Sequence, residues 1–458
     1  MGSEWKVRLL GDLCTEITVG FVGSMTQEYV ESGVPFLRSK NIAEYNVDWN
    51  DMKFVSNEFH QKLSKSSLKA GDVAIVRTGK PGTTCVIPES IKEANCSDIV
   101  IARANKEILN PHYLAYFMNA MAHGQVNAHV VGAVQQHFNV GSAKKIEIPL
   151  PALEQQNKIV DVLKALDDKH RVNNQINQTL EQMAQTLFKS WFVDFDPVID
   201  NALDAGSDIP EVFEVRVERR KAVRESTGFK PLPDDVRRLF PSEFEESELG
   251  WVPKGWKRES VSDVIQINPR VKLPKGTEAP FVEMKALPTS GYAVEEVSSK
   301  AFTGGAKFEQ HDVLLARITP CLQNGKTGFV DFLNEGEVGF GSTEFIVMRQ
   351  TEDVHFGYVA CLARNEKFRV HAMQSMVGSS GRQRVQNSCF DSFVITLPTK
   401  DVMSMFAKMS ENYFSKMRTN KLESDNLENL RDTLLPKLIS GELRLDSPEV
   451  EQAKALVE

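Results

Sequence analysis

Two short motifs carry residue types that could do chemistry. Asn110-Pro111-His112-Tyr113 is near the Asn/Asp-Pro-Pro-Tyr/Phe tetrad of amino-methyltransferases. Its third position is His112, and no glycine-rich cofactor loop stands upstream. The tetrad therefore reads as a junction from strand to helix, with Pro111 suited to a first helical turn. Pro280-Phe-Val-Glu283-Met-Lys285 has the Glu-x-Lys spacing of a nuclease. Without a metal-binding Asp upstream, it reads as a strand edge. The nine histidines show no metal-ligand spacing, and His137 and His170 read as polar contacts. Cys14, Cys85, Cys96, Cys321, Cys361 and Cys389 form no CxxC pair, which points to reduced thiols and away from structural zinc. Walker A, HExxH and GxSxG are absent, as is GxGxxG with a well-placed acid. The reading is of a chain with no catalytic residues, no metal and no cofactor of its own.

What the chain does carry is a repeat. At a constant offset of 247, Ile148, Leu150 and Pro151 meet Ile395, Leu397 and Pro398, and Asn173 meets Asn420. Leu180, Glu181, Thr186 and Leu187 meet Leu427, Glu428, Thr433 and Leu434. Upstream the echo is weaker and its offset drifts: Trp5-Lys6 with Trp256-Lys257, Pro35-Phe36 with Pro280-Phe281, and Asp72, Val73 and Arg77 with Asp312, Val313 and Arg317. Ser97 and Arg103 are echoed by Ser342 and Arg349, and Val131-Gly132 by Val377-Gly378. A globular block followed by a long helix, occurring twice, predicts a pseudo-two-fold molecule suited to a two-part target. A shared framework with divergent loops suits blocks that read different things.

The elements follow from pattern. Short β-type runs (72–77, 98–103, 145–148) lie between Gly, Pro and Asn turns in the first block, with a helix over 111–122. The second block repeats this, with strands near 312–317 and 343–349. Residues 152–190 hold no Gly or Pro. Ile159, Leu163, Leu166, His170, Asn173, Asn177, Leu180, Ala184, Leu187 and Trp191 form an alternating 4,3 seam, the mark of a coiled coil. Phe406, Ser410, Tyr413, Met417, Asn420, Ser424, Leu427, Arg431, Leu434 and Leu438 form the matching seam. Antiparallel pairing would set Asn173 beside Asn420, a polar pair that fixes register at some cost in stability. The fold class expected is α+β: two strand-rich mixed α/β blocks and two long helices paired as an antiparallel coiled coil.

Composition bounds the partners. At 458 residues the chain exceeds one domain, and 41% hydrophobic and 25% charged residues are ordinary for a globular protein. No stretch has the length of a membrane span, and the first residues show neither a signal-peptide nor a myristoylation pattern. The expected location is the cytoplasm. Net charge is −8, but residues 1–150 balance 15 basic against 15 acidic side chains, and 251–400 balance 18 against 16. The excess lies in 192–250, with 8 basic against 15 acidic. A neutral block can still present a basic face to nucleic acid, and partner subunits can add neutralising charge. Within 192–250 a short charged helix is expected near 211–226, where Arg216, Arg219, Arg220, Lys221 and Arg224 are balanced by Glu211, Glu214, Glu218 and Glu225.

Particular segments resemble the specificity subunit of type I restriction–modification enzymes. Lys144-Lys-Ile-Glu-Ile-Pro-Leu-Pro-Ala-Leu-Glu-Gln-Gln-Asn-Lys-Ile159 is similar to the run that leads into that family's first conserved helix, and Leu187-Phe-Lys-Ser-Trp-Phe-Val-Asp-Phe195 to its exit. Leu239-Phe-Pro-Ser-Glu-Phe-Glu-Glu-Ser-Glu-Leu-Gly250 with Pro253-Lys-Gly-Trp256 resembles the lead into the second recognition domain. Leu434-Leu-Pro-Lys-Leu-Ile-Ser-Gly-Glu-Leu443 resembles the end of the second helix. The resemblance covers essentially the whole chain. It implies a first target-recognition domain over 1–150, a spacer helix over 151–191 and an acidic linker over 192–250. A second recognition domain over 251–398, a second spacer helix over 399–440 and a frayed tail over 441–458 complete the plan.

The resemblance also implies a non-catalytic reader of a bipartite site in double-stranded DNA, one half-site per block, docking two methyltransferase subunits through its helices. S-adenosylmethionine would sit on those partners, and ATP and Mg on two added restriction subunits. A 40-residue helix spans ~60 Å, enough to hold two readers about 34 Å apart on one DNA face. The expected DNA-reading residues lie on polar turns that break the shared framework: Arg38, Ser39, Lys40, Asn41, Arg77, Thr78, Lys80, Gln135, Gln136 and His137 in the first block. In the second they are Lys285, Arg317, Thr319, Asn324, Lys326, Arg382, Gln383 and Arg384. Arg can bond guanine bidentately, Gln or Asn adenine, and Lys or Ser mainly phosphate. Thr319-Pro-Cys-Leu-Gln323 has no counterpart between Thr78 and Gly79, so roles do not transfer between the blocks there. The competing reading is a coiled-coil scaffold that reads no DNA.

Overall fold

The computed structural model describes residues 5–25, 27–129, 137–248, 250–379 and 381–457. They form two compact units, one of residues up to 172 together with 423 onwards, the other of residues 173–422. Four helices are labelled: α1 (Pro111–Ala120), α2 (Leu153–Phe188), α3 (Phe356–Arg364) and α4 (Lys400–Ser440). The start of α2 and the end of α4 belong to the first unit, their other parts to the second.

In the first unit, β1 (Cys14–Val19), β2 (Val73–Val76), β3 (Thr84–Val86) and β4 (Ile99–Ala104) form a sheet in the order β1-β4-β2-β3. The continuous apolar runs of β2 and β4 are buried on both faces, as such runs demand. Tyr113, Leu114, Phe117 and Met118 of α1 share a core with Val73, Ile75 and Val100. Full burial of each such side chain is worth about 1.5–3 kcal/mol. In a second sheet, Val34–Leu37 runs parallel to Ala94–Cys96, with Phe36 opposite Asn95. Lys6–Leu9 closes the block antiparallel to Glu147–Leu150, Lys6 facing Leu150.

The second unit repeats this path. Here β5 (Gln266–Ile267), β6 (Val313–Ala316), β7 (Thr327–Phe329) and β8 (Phe345–Arg349) are ordered β5-β8-β6-β7. The parallel pair is Glu278–Val282 with Gly339–Gly341, Phe281 opposite Phe340, and the closing pair sets Lys257 opposite Leu397. The echoed Asp and Arg are one device used twice. Asp72 accepts the Lys69 N–H at 3.0 Å and lies 3.5 Å from Arg103. Asp312 accepts the Glu309 N–H at 2.7 Å and takes Arg349 on both oxygens at 2.7 Å.

The long helices run antiparallel within each unit. In the first, Asp167 meets Arg431 at 2.9 Å and His170 lies 3.4 Å from the Ser424 carbonyl. Ile159, Leu163, Leu166, Leu427 and Leu434 are buried there. In the second, Asn420 donates to the Asn177 side-chain oxygen at 2.8 Å, and Asn177 donates to the Met417 carbonyl at 3.1 Å. Asn420 thus meets Asn177, one helical turn past the expected Asn173, although Asn173 is also buried. Phe406 and Met417 are buried, while Leu180, Leu187 and Tyr413 are partly buried.

Two segments differ from expectation. Residues 192–250, expected as a linker, pack into the second unit. Helices Asp196–Ala205 and Glu214–Arg224 place Val198, Ile199, Phe213 and Val217 in the same core as Trp191 and Phe406. Arg220 grips Asp200 at 2.5 Å, Arg219 reaches Asp194 at 2.6 Å, and Arg224 pairs with Asp204. The acids that suggested a linker are partners for arginines of the same segment. The tail does not fray: Pro448–Ala455 is helical and buries Val450 and Ala453 beside Leu435 and Ile439. No helix among the described residues is long and apolar enough to cross a membrane.

Candidate nucleic-acid interface

In the first unit the expected turns converge on two aspartates. Ser39 donates to the Asp98 carbonyl at 2.9 Å, Thr78 to its carboxylate at 2.5 Å, and Arg77 lies 3.3 Å from it. The Phe138 N–H reaches the Arg77 carbonyl at 3.1 Å, which brings His137 to the same corner. The His137 Nδ1 is buried without a partner among the described residues. Asp51 gathers Arg38 at 3.3 Å, Lys53 at 2.9 Å and Lys40. Hydrogen bonds from Lys40 and then Lys53 hold the Asp51 carboxyl well below the ordinary carboxylate range. Lys80 is exposed on its turn. Gln135 and Gln136 lie outside the described residues.

Asn41 is corrected. It is fully buried, its amide donates to the Asp48 and Asn50 carbonyls at 3.0 and 3.2 Å, and its oxygen accepts from the Arg38 N–H at 3.1 Å. Nothing is left over for a base. It shapes the turn that presents Arg38 and Lys40.

In the second unit the expected residues surround the turn after β6. Arg317 donates to the Val385 carbonyl at 3.0 Å, and its own N–H bonds the Glu344 carbonyl at 2.9 Å. Val377 and Arg384 exchange backbone hydrogen bonds at 3.1 and 3.0 Å, closing a hairpin whose tip carries Arg382 and Gln383. Gly378 begins that tip at φ +139°, and a Cβ there would stand 2.8 Å from the Arg382 carbonyl, so the turn requires glycine. Ser380 lies outside the described residues. Arg384 spans both oxygens of Glu344 at 2.7–3.0 Å. Arg382 and Asn324 are exposed.

Two more readings are corrected. Lys326 spends its ammonium on the Met284 and Lys285 carbonyls at 2.8 and 3.1 Å, tying two loops together. Thr319 is buried and accepts the Gln383 N–H at 3.0 Å, so its hydroxyl holds the hairpin. Lys285 is exposed beside Glu296 at 3.0 Å and Glu283 at 3.6 Å. Asn110 caps α1 by accepting the His112 and Tyr113 N–H groups.

Sequence reasoning missed Asp51, Asp98 and Glu344, the acids that aim these cations. An acid close in space to an expected arginine has no signature along the chain. Asp98 beside the echoed Ser97 was the available signal.

The molecule thus presents polar loops twice on one repeated framework. Residues 2–182 match the family model of the type I restriction modification DNA specificity domain. The chain is similar to the HindI specificity subunit of Haemophilus influenzae, 24% identical across 96% of this chain and all of that one. It is likewise similar to the MjaIX specificity subunit of Methanocaldococcus jannaschii, 22% identical across 97% of this chain and 94% of that one. The crystal structure of a type I system S subunit from M. genitalium shares the fold, with a TM-score of 0.52 at 12% identity over 95% of this chain and 96% of that one.

Proposed function

We propose that this chain is the DNA sequence-specificity subunit of a type I restriction–modification complex, one block reading each half of a bipartite site. The observation that carries this reading is the contrast inside the repeat. Sheet order, closing-strand register and the buried Asp–Arg pair recur, while the exposed turns differ in length, charge and hydrogen bonding. A framework kept and loops changed is how a scaffold serves two recognition tasks. Arginines held by carboxylates keep their forks oriented, which lowers the ordering cost of meeting a base edge.

The helices would dock two methyltransferase subunits. Ile176 and Met183 are exposed apolar side chains on the part of α2 in the second unit, and Val172 is one in the first. S-adenosylmethionine would then belong to those subunits, ATP and Mg to restriction subunits, and the complex to the cytoplasm. Mapping methylated adenines in cells with the methyltransferase, with and without this chain, tests the reading. The expected result is a split motif with an unread spacer that appears only with the chain. Unchanged methylation, with both proteins assembled, would favour the scaffold.

A further inference from the structure

A cleft of about 630 Å³ opens between the edges of the two sheets of the second unit. Arg270, Lys307 and Arg317 line it, over an apolar floor that includes Val271, Phe345 and Val347. The lining holds no carboxylate, and none of the three cations forms an ion pair among the described residues. Each is aimed by backbone geometry. Asn268 sits at φ +51° and exchanges hydrogen bonds with the Val347 backbone at 2.7 and 3.0 Å, which launches Arg270 across the cleft edge. Lys307 lies on the strand Ala306–Phe308, its ammonium 5.8 Å from the Phe302 ring. Arg317 is tethered on one side to Val385, and its Nε is buried without a partner among the described residues.

The repeat shows why Arg317 stands unneutralised. Arg317 corresponds to Arg77, and Ser342 to Ser97, so Thr343 occupies the place of Asp98. In the first unit that place carries the carboxylate 3.3 Å from Arg77. In the second it carries a hydroxyl, and Thr343 lines the cleft.

We propose that this cleft seats the DNA sugar–phosphate backbone, and that the change from Asp98 to Thr343 makes the second block the stronger phosphate anchor. The proposal rests on the DNA-reading function above and adds the contacts that do not depend on sequence. Three cations without an acid attract phosphate and repel nothing on it, while the apolar floor accepts a deoxyribose face. Neither Arg270 nor Lys307 stood out in the sequence, because the cleft joins segments far apart along the chain.

The test uses the full chain assembled with its methyltransferase subunits, binding cognate and scrambled duplexes over a range of salt. Arg270→Ala with Lys307→Ala should weaken both duplexes alike and make the salt slope shallower by about two, since each phosphate contact contributes roughly 0.9. Thr343→Asp, which imports the first block's acid at an exposed position, should weaken both duplexes alike with its own shallower slope. Unchanged slopes in both variants would overturn the seat, and loss confined to the cognate duplex would make the cleft a base reader. If the unaltered complex shows no preference for any sequence, the specificity reading fails separately. The slope on scrambled DNA would still decide the cleft.

Discussion

His355 ties the stability of the second unit to pH through one ring. Its Nδ1 accepts the Gly357 N–H at 3.2 Å, capping α3, and its Nε2 lies 3.1 Å from Glu411. That arrangement needs the neutral ring with the proton on Nε2. Burial, the largest influence, holds the imidazole below its ordinary value, and Glu411 opposes it without prevailing. The unfolded chain therefore binds the proton more readily. Stability from this site is present above about pH 6.5 and is lost as pH falls through the lower folded value. The first block caps its matching helix with Asn110, so His355→Asn should keep the cap, worth about 1 kcal/mol, and flatten this part of the pH dependence. Thermal unfolding between about pH 8 and pH 5 checks this; an unchanged slope would place the dependence elsewhere. At the reading surface, the Arg384 fork that now spans Glu344 has the geometry to span guanine instead. Arg382→Ala with Arg384→Ala should cost about 1–3 kcal/mol per lost bidentate contact, at one half-site only. Binding to duplexes altered in each half-site measures this, and equal loss on random DNA would reassign both arginines to phosphate.

Among the elements, the seam of the long helices was legible because its 3.5-residue spacing survives as burial of Ile159, Leu163, Phe406 and Leu434. The polar register was legible only to within a turn, since Asn173, Asn177 and Asn420 all suit a seam and spacing alone does not choose partners. Asn420→Leu should destabilise the second unit by about 1 kcal/mol, because the half-buried Asn177 side-chain oxygen loses its donor. Adding Asn177→Leu should recover much of that loss, since matched apolar residues can replace a polar pair in a helix seam. Denaturant unfolding of the two single variants and the double gives the coupling energy, and strictly additive losses would mean the two amides do not act as a pair. The acidic stretch 192–250 was misjudged for a physical reason. Composition counts Asp194, Asp200 and Asp204 as excess charge, while folding sets them against Arg219, Arg220 and Arg224.

For the molecule as a whole, the repeat was the part most plainly written in the sequence. Trp5-Lys6 and Trp256-Lys257 lead into closing strands of identical register, and the Pro-Phe echoes fall on the parallel pair of each second sheet. Arg77 and Arg317 were recognisable as a pair, but the difference between Asp98 and Thr343 mattered only once folding brought each beside its arginine. Loop function was the least legible, because Asn41, Thr319 and Lys326 look like free polar residues until their partners are known. This division defines where the molecule can be cut. Each block is closed by its own first and last strands, and α2 begins at Leu153, just after the first closure. Replacing residues 6–150 with the matching block of the Haemophilus influenzae relative should keep the fold, since the two chains align over nearly their whole lengths. The methylated motif should then change in one half and keep the other half and the spacer length, because the helices and the second block are untouched. Methylation mapping of the chimera decides it: a change in both halves would mean that the blocks read jointly, and an altered spacer would mean that the block, as well as the helices, sets the distance between half-sites.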